Sequence, residues 1–84
     1  MSNASAVVEY LARALADEPD EVRVSETEHR GVTLLELLVS PGDLGRMIGR
    51  QGRTATALRT LVGVAAERDG KRVTLEIREG PQAG

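Results

Sequence analysis

Leu44-Gly45-Arg46-Met47-Ile48-Gly49-Arg50-Gln51-Gly52-Arg53 is the stretch on which the reading of this 84-residue chain turns. Two glycines flank two polar residues between a short apolar-striped segment and a longer one. The backbone can therefore turn sharply there, with no β-carbon to block close approach. The turn opens a helix near Arg53, and the unpaired amides and positive dipole end of a helix N-terminus favour an anion. With Arg46, Arg50 and Arg53 beside it, a phosphate fits the position. Glycines at this spacing often do no more than permit a corner between helices. The arginines, the apolar Met47-Ile48 and the elements on either side favour a binding loop instead.

Upstream of the loop, Val8, Leu11 and Leu15, with Val7 and Ala12 beside them, recur every three or four positions and predict a helix from Ser5 to about Asp17. Pro19 ends it. Val22-Arg23-Val24-Ser25 alternates as a strand with one wet face, and His29-Arg30-Gly31 is a turn into a second strand from Thr33 to Val39. Leu35, Leu37 and Val39 share one face of that strand, while Leu34 and Leu38 fall on the Glu36 face as a possible contact surface. Ser40-Pro41-Gly42-Asp43 starts a short helix, with Asp43 suited to cap it and Leu44, Met47 and Ile48 forming its apolar stripe.

Downstream, Ala55, Leu58, Leu61, Val62, Ala65 and Ala66 give a longer helix its inner side, and Asp69-Gly70 stops it. Val73, Leu75 and Ile77 then alternate with Thr74, Glu76 and Arg78 as a third strand. The predicted order is α-β-β-α-α-β, an α+β fold. One domain is expected over residues 5–79, with 80–84 a flexible C-terminal tail.

Net charge is -2, yet the charge is unevenly spread. Residues 9–30 carry mostly Asp and Glu, whereas between Asp43 and Arg59 a single acid faces Arg46, Arg50, Arg53 and Arg59. That local basic segment, more than the total, suits a phosphate backbone. Cysteine is absent and His29 is the only histidine, so no disulfide framework or Cys/His zinc site is expected. No apolar run approaches the length of a membrane span, and a cytoplasmic protein without membrane contact is expected. An enzyme is not expected. The spacing after Gly49 lacks the Lys-hydroxyl pair and the four-residue spacer of a P-loop, and His29 has no nucleophile near it.

The run Asp43 to Ala55, followed by Ala57-Leu58-Arg59-Thr60-Leu61, resembles the stand-alone bacterial KH-domain proteins of the KhpA (YlqC) type. Similarity extends over roughly Val7 to Glu79, including Asp20-Glu21-Val22-Arg23-Val24 and Gly70-Lys71-Arg72-Val73. The resemblance implies a type II KH domain, a three-stranded mixed sheet with helices packed on one face. It also implies that Gly49-Arg50-Gln51-Gly52 clamps the backbone of about four nucleotides of single-stranded RNA. Arg46, Arg53 and Ile48 would assist, and Lys71 and Arg72 would meet phosphates on the far side of an adjacent groove. Leu44, Ile48, Leu58 and Val73 are the expected apolar lining of that groove.

No cofactor is implied. The family setting suggests a homodimer, or a heterodimer with a KhpB/Jag-like KH protein, with roles in RNA chaperoning and in control of cell shape and wall synthesis. The competing expectation is a dimerisation module with little RNA affinity of its own. Tyr10 is the only aromatic residue, so base stacking on aromatic side chains is scarcely available and affinity should be weak.

Overall fold

The computed structural model describes residues 2–80. Helix α1 spans Asn3–Leu15, beginning before the expected Ser5 because the Ser2 hydroxyl caps it, accepting the Ser5 N–H at 3.0 Å. Its inner face carries Ala4, Val8 and Ala12. A single 3₁₀ turn at Pro19–Glu21 leads to strand β1, Arg23–His29. β1 runs well past the Ser25 suggested by its hydrophobic pattern. Its polar second half is held by antiparallel pairing with strand β2, Val32–Val39, all the way from Arg23↔Leu38 to His29↔Val32.

In β2 the alternation is complete: Thr33, Leu35, Leu37 and Val39 are buried and the residues between them are half-buried. Helix α2 is Pro41–Ile48, helix α3 is Arg53–Arg68, and strand β3 is Arg72–Glu79. β3 lies parallel to β2, with Val32↔Arg72 at one end and Val39↔Glu79 at the other. A parallel neighbour requires a crossover, and α2 and α3 together supply it. The sheet order is β1-β2-β3, with β2 central.

The helices cover the Leu35/Leu37 face, and the core joins Val8, Ala12, Val22, Met47, Leu58, Val62 and Leu75 to it. This is the α+β, α-β-β-α-α-β arrangement of a type II KH domain. The Leu34/Leu38 face has no helix on it and carries the Glu36–Arg78–Glu76 ion pairs.

Two expectations are corrected. Leu61, placed on the inner side of α3, is 48% exposed. It lies about 100° round the helix from Val62, on the side away from the sheet. Asp43 is not the cap of α2, because Ser40 occupies that position and Pro41 follows as the first helical residue. Gly80 still donates its N–H to the Val39 carbonyl at 2.9 Å, and the rest of the expected tail, 81–84, lies outside the described residues. Among the described residues no helix is long and apolar enough to cross a membrane.

Candidate nucleic-acid interface

The loop between α2 and α3 owes its shape to three left-handed residues. Gly49 sits at φ 77°, ψ 170°, Gln51 at φ 57°, ψ 25° and Gly52 at φ 72°, ψ 14°. The Gly49 conformation is essentially restricted to glycine. A β-carbon there would lie 2.8 Å from the Thr54 backbone nitrogen and closer still to Thr54 Oγ1. Around Gly52 there is open space, so only its backbone conformation favours glycine. The Gly49 N–H closes α2 on the Gly45 carbonyl at 2.8 Å, and the Gly52 N–H returns to the Gly49 carbonyl at 3.1 Å.

Arg50, Gln51 and Arg53 project into solvent from this turn. Gly52 offers no side chain to cap α3; the Arg53 N–H turns back to the Arg50 carbonyl, and the amides after it have no side-chain cap at Gly52. A tight backbone turn, an uncapped helix N-terminus and exposed guanidinium groups converge on one position, which is the chemistry a phosphate diester needs.

The other expected residues divide. Ile48 stands beside the loop, 36% exposed, and is available to an apolar base face. Arg46 is anchored: its Nη2 meets Asp17 Oδ2 at 2.8 Å and its Nε lies 3.7 Å from Asp43 Oδ1. Asp43 is 1% exposed and accepts the backbone N–H groups of Asp17 and Glu18 at 2.9 and 3.0 Å, together with the Ser40 hydroxyl. Those amide donors, seconded by Ser40 and Arg46, hold its carboxyl below the ordinary aspartate range despite burial. Asp43 therefore ties the end of α1 to the helix that carries the loop. Its sequence position suggested only a cap, and nothing local reveals donors 25 residues upstream.

A groove of about 230 Å³ runs between α3 and the free edge of β3, lined by Arg59, Val62, Val73, Thr74 and Leu75. Val73 belongs to it as expected. Leu58 does not line it and is buried in the core at 3% exposure, and Leu44 packs against the core from α2. Arg59 was not among the expected site residues. Its Nε donates to the Leu75 carbonyl at 3.3 Å, putting a cation on the edge strand in mid-groove. The signal in the sequence was its place in the basic segment.

Lys71 and Arg72 lie at the start of β3, beside Val32 at the start of β2, whereas the loop follows α2 beyond the other end of β2. Lys71 Nζ pairs with Glu28 Oε2 at 3.0 Å, and that hydrogen bond and charge raise its pKa. Among the described residues no group of three or more His, Asp or Glu is placed to hold a metal ion.

Known proteins resemble this chain over most of its length. The RNA-binding protein KhpA of Halalkalibacterium halodurans is 51% identical over 71 residues, covering 84% of this chain and 93% of its own. The RNA-binding protein KhpA of Aquifex aeolicus is 47% identical over 79 residues, covering 94% of this chain and 100% of its own. Among solved structures, Era in complex with MgGDPNP and nucleotides 1506–1542 of 16S ribosomal RNA matches with a TM-score of 0.67 at 20% identity. An Aquifex aeolicus Era variant bound to GDP and aluminium fluoride matches with 0.69 at 22%. Each match covers 94% of this chain but only 31% of the Era chain, and at that identity the likeness is one of fold. The profile of the family described as KhpA/KhpB, KH domain matches residues 5–77, and the chain belongs to that family.

Proposed function

We propose that this protein binds single-stranded RNA without catalysing a reaction, clamping about four nucleotides of sugar-phosphate backbone on Gly49-Arg50-Gln51-Gly52. The observation that carries the reading is the uncapped N-terminus of α3, set behind a turn that a β-carbon at Gly49 would obstruct. The names of the relatives, RNA-binding protein KhpA, support it. Bases would enter the α3–β3 groove past Ile48, with Arg59 and the β3 edge available to them. Arg46, held by Asp17 and Asp43, serves more to position α2 than to neutralise phosphate. Cytoplasmic RNA chaperoning, with the cell-shape and wall roles that the family resemblance attaches to it, goes with this reading.

The test is fluorescence anisotropy of a labelled single-stranded RNA with the wild type and with Arg50→Asp, Gln51→Asp. Circular dichroism checks that the variant is folded. The reading expects salt-sensitive binding with a logarithmic slope of about -2 to -3, lost in the folded variant. Equal binding by the two proteins sinks it.

A second reading, self-association or pairing with a KhpB/Jag-like KH protein, is favoured by an adjoining surface. Leu11, Ala14, Leu15, Ala57 and Leu61 line a mainly apolar groove of about 400 Å³ between α1 and α3 that ends at Arg53 and Thr54 beside the loop, and Tyr10 and Val64 on the same helices are 75% and 54% exposed. Sedimentation of Leu61→Lys, Val64→Lys separates the two functions. Loss of a dimer with RNA binding retained supports two independent surfaces, and an unchanged sedimentation coefficient rejects this face as the contact.

A further inference from the structure

Most arginines of this chain are already engaged. Arg13 pairs with Glu9, Arg23 donates to the Asp20 and Val22 carbonyls, and Arg46 meets Asp17. Arg53 donates to Gln51, Arg59 to the Leu75 carbonyl, and Arg78 pairs with Glu36 and Glu76. Arg30, Arg50, Arg68 and Arg72 have neither an ion pair nor a side-chain hydrogen bond among the described residues. Arg50 belongs to the loop. Arg68 ends α3, and Arg30 and Arg72 share a cavity at that end, where the β1–β2 turn meets the α3–β3 turn.

Arg30 and Gly31 form a two-residue hairpin turn between the paired His29 and Val32, with φ of 52° and 80°. Such a turn needs positive φ at both positions, which glycine and asparagine adopt readily and arginine does not. An unfavourable residue is thus held where it puts a guanidinium at the tip of the hairpin. Arg30, Gly31, Gly70, Lys71 and Arg72, with Glu67, line an open cavity of about 500 Å³. Lys71 is committed to Glu28, so Arg30 and Arg72 are the cations available there, with Glu67 on the same lining and Glu28, Glu26 and Asp69 grouped around Lys71.

We propose that Arg30 and Arg72 form a second phosphate-binding site, which takes the backbone of the same RNA strand after it leaves the loop. This rests on the loop being a single-strand clamp. The sites are separated by the 16 residues of α3, about 24 Å at 1.5 Å per residue, or about seven phosphates of a stacked strand at 3.4 Å each. The α3–β3 groove with Arg59 lies between them. A strand of about six nucleotides engages the loop alone, and one of about twelve reaches both sites.

The experiment compares wild type, Arg30→Asn, Arg72→Gln and the loop variant Arg50→Asp, Gln51→Asp, using oligouridylates of about six and about twelve nucleotides. Asparagine at position 30 keeps the left-handed turn, and circular dichroism verifies folding. For the longer RNA, anisotropy should show about tenfold weaker binding to Arg30→Asn, Arg72→Gln at 0.1 M salt. The salt slope should shrink by about 1.4, from two lost contacts at 0.7 each. For the shorter RNA, amide NMR shifts at residues 48–53 and along the α3–β3 groove should be the same in wild type and in this variant, with none at residues 29–32.

Undiminished binding of the longer RNA by Arg30→Asn, Arg72→Gln, while the loop variant loses it, overturns the second site and leaves the clamp standing. Equal weakening for both lengths also overturns it. If the loop variant binds like wild type, or wild type binds neither RNA, the clamp reading and the inference built on it both fall.

Discussion

Replacing Gly49 by alanine tests the loop geometry most directly. At φ 77°, ψ 170° a non-glycine residue costs about 1–3 kcal/mol in backbone strain. The added methyl, 2.8 Å from the Thr54 nitrogen and nearer still to its hydroxyl oxygen, adds an overpacking cost of about 1–3 kcal/mol. Stability for a chain of 84 residues is about 4–12 kcal/mol. A combined loss of about 2–6 kcal/mol therefore takes a large share of it and lowers the melting temperature by at least about 8 °C.

Gly52→Ala is the internal control. It pays only the left-handed conformation, about 1 kcal/mol, because no atom lies within 4 Å of the added carbon. It should lose only about 4–8 °C. Trimming Thr54 to alanine in the Gly49→Ala background should restore little, since the backbone nitrogen stays in the way. Melting curves by circular dichroism decide the matter. Equal losses at the two glycines, or a Gly49→Ala protein within about 4 °C of wild type, would refute the assigned geometry.

Three further outcomes can be measured. Thr33 is 2% exposed and its hydroxyl has no hydrogen-bond partner among the described residues, so Thr33→Val should raise stability by about 1 kcal/mol in urea titration. Asp43 has a carboxyl pKa below its ordinary value, so its contribution is present above about pH 4 and is lost as pH falls through the lower folded-state value. The urea midpoint of Asp43→Asn should accordingly lie below wild type at pH 7, with the gap closing near pH 3. A gap unchanged at pH 3 would contradict the hydrogen-bond assignment. Leu37→Ala, at a fully buried core position, should lose about 2–5 kcal/mol, against about 0.5 or less for the half-exposed Leu61→Ala.

The acidic half of the chain also bears on how RNA would approach. Glu26 and Glu28 lie on β1, the sheet edge opposite β3, and both are exposed. A polyanion is repelled from the middle of that edge, at Glu26, whereas Glu28 beside the hairpin tip is paired with Lys71. Net charge of -2 is compatible with a phosphate-binding face, because the segment from Arg46 to Arg59 carries four arginines and no acid.

Element order and the glycine-flanked turn between α2 and α3 were legible in the linear chain because both depend on neighbours in sequence. The spacing of Val8, Leu11 and Leu15 follows the helical period, the alternation from Thr33 to Val39 follows the strand period, and the glycines mark the turn, Gly49 where a β-carbon is unwelcome and Gly52 where the backbone is left-handed. Hydrophobic pattern failed where pairing replaced it, as in the polar half of β1. It failed also on α3, where Leu61 belongs to the apolar set but lies outside the arc that the sheet and α1 cover.

Residues distant in sequence were decided by the tertiary structure alone. Asp43 reaches the amides of Asp17 and Glu18, and Lys71 turns to Glu28. The parallel register sets Arg72 beside Val32 and so brings it to the hairpin tip that carries Arg30. Periodicity determines which face of an element is buried. Which charges then meet depends on how the elements pack, and side chains separated by tens of residues carry no local signature of their partners.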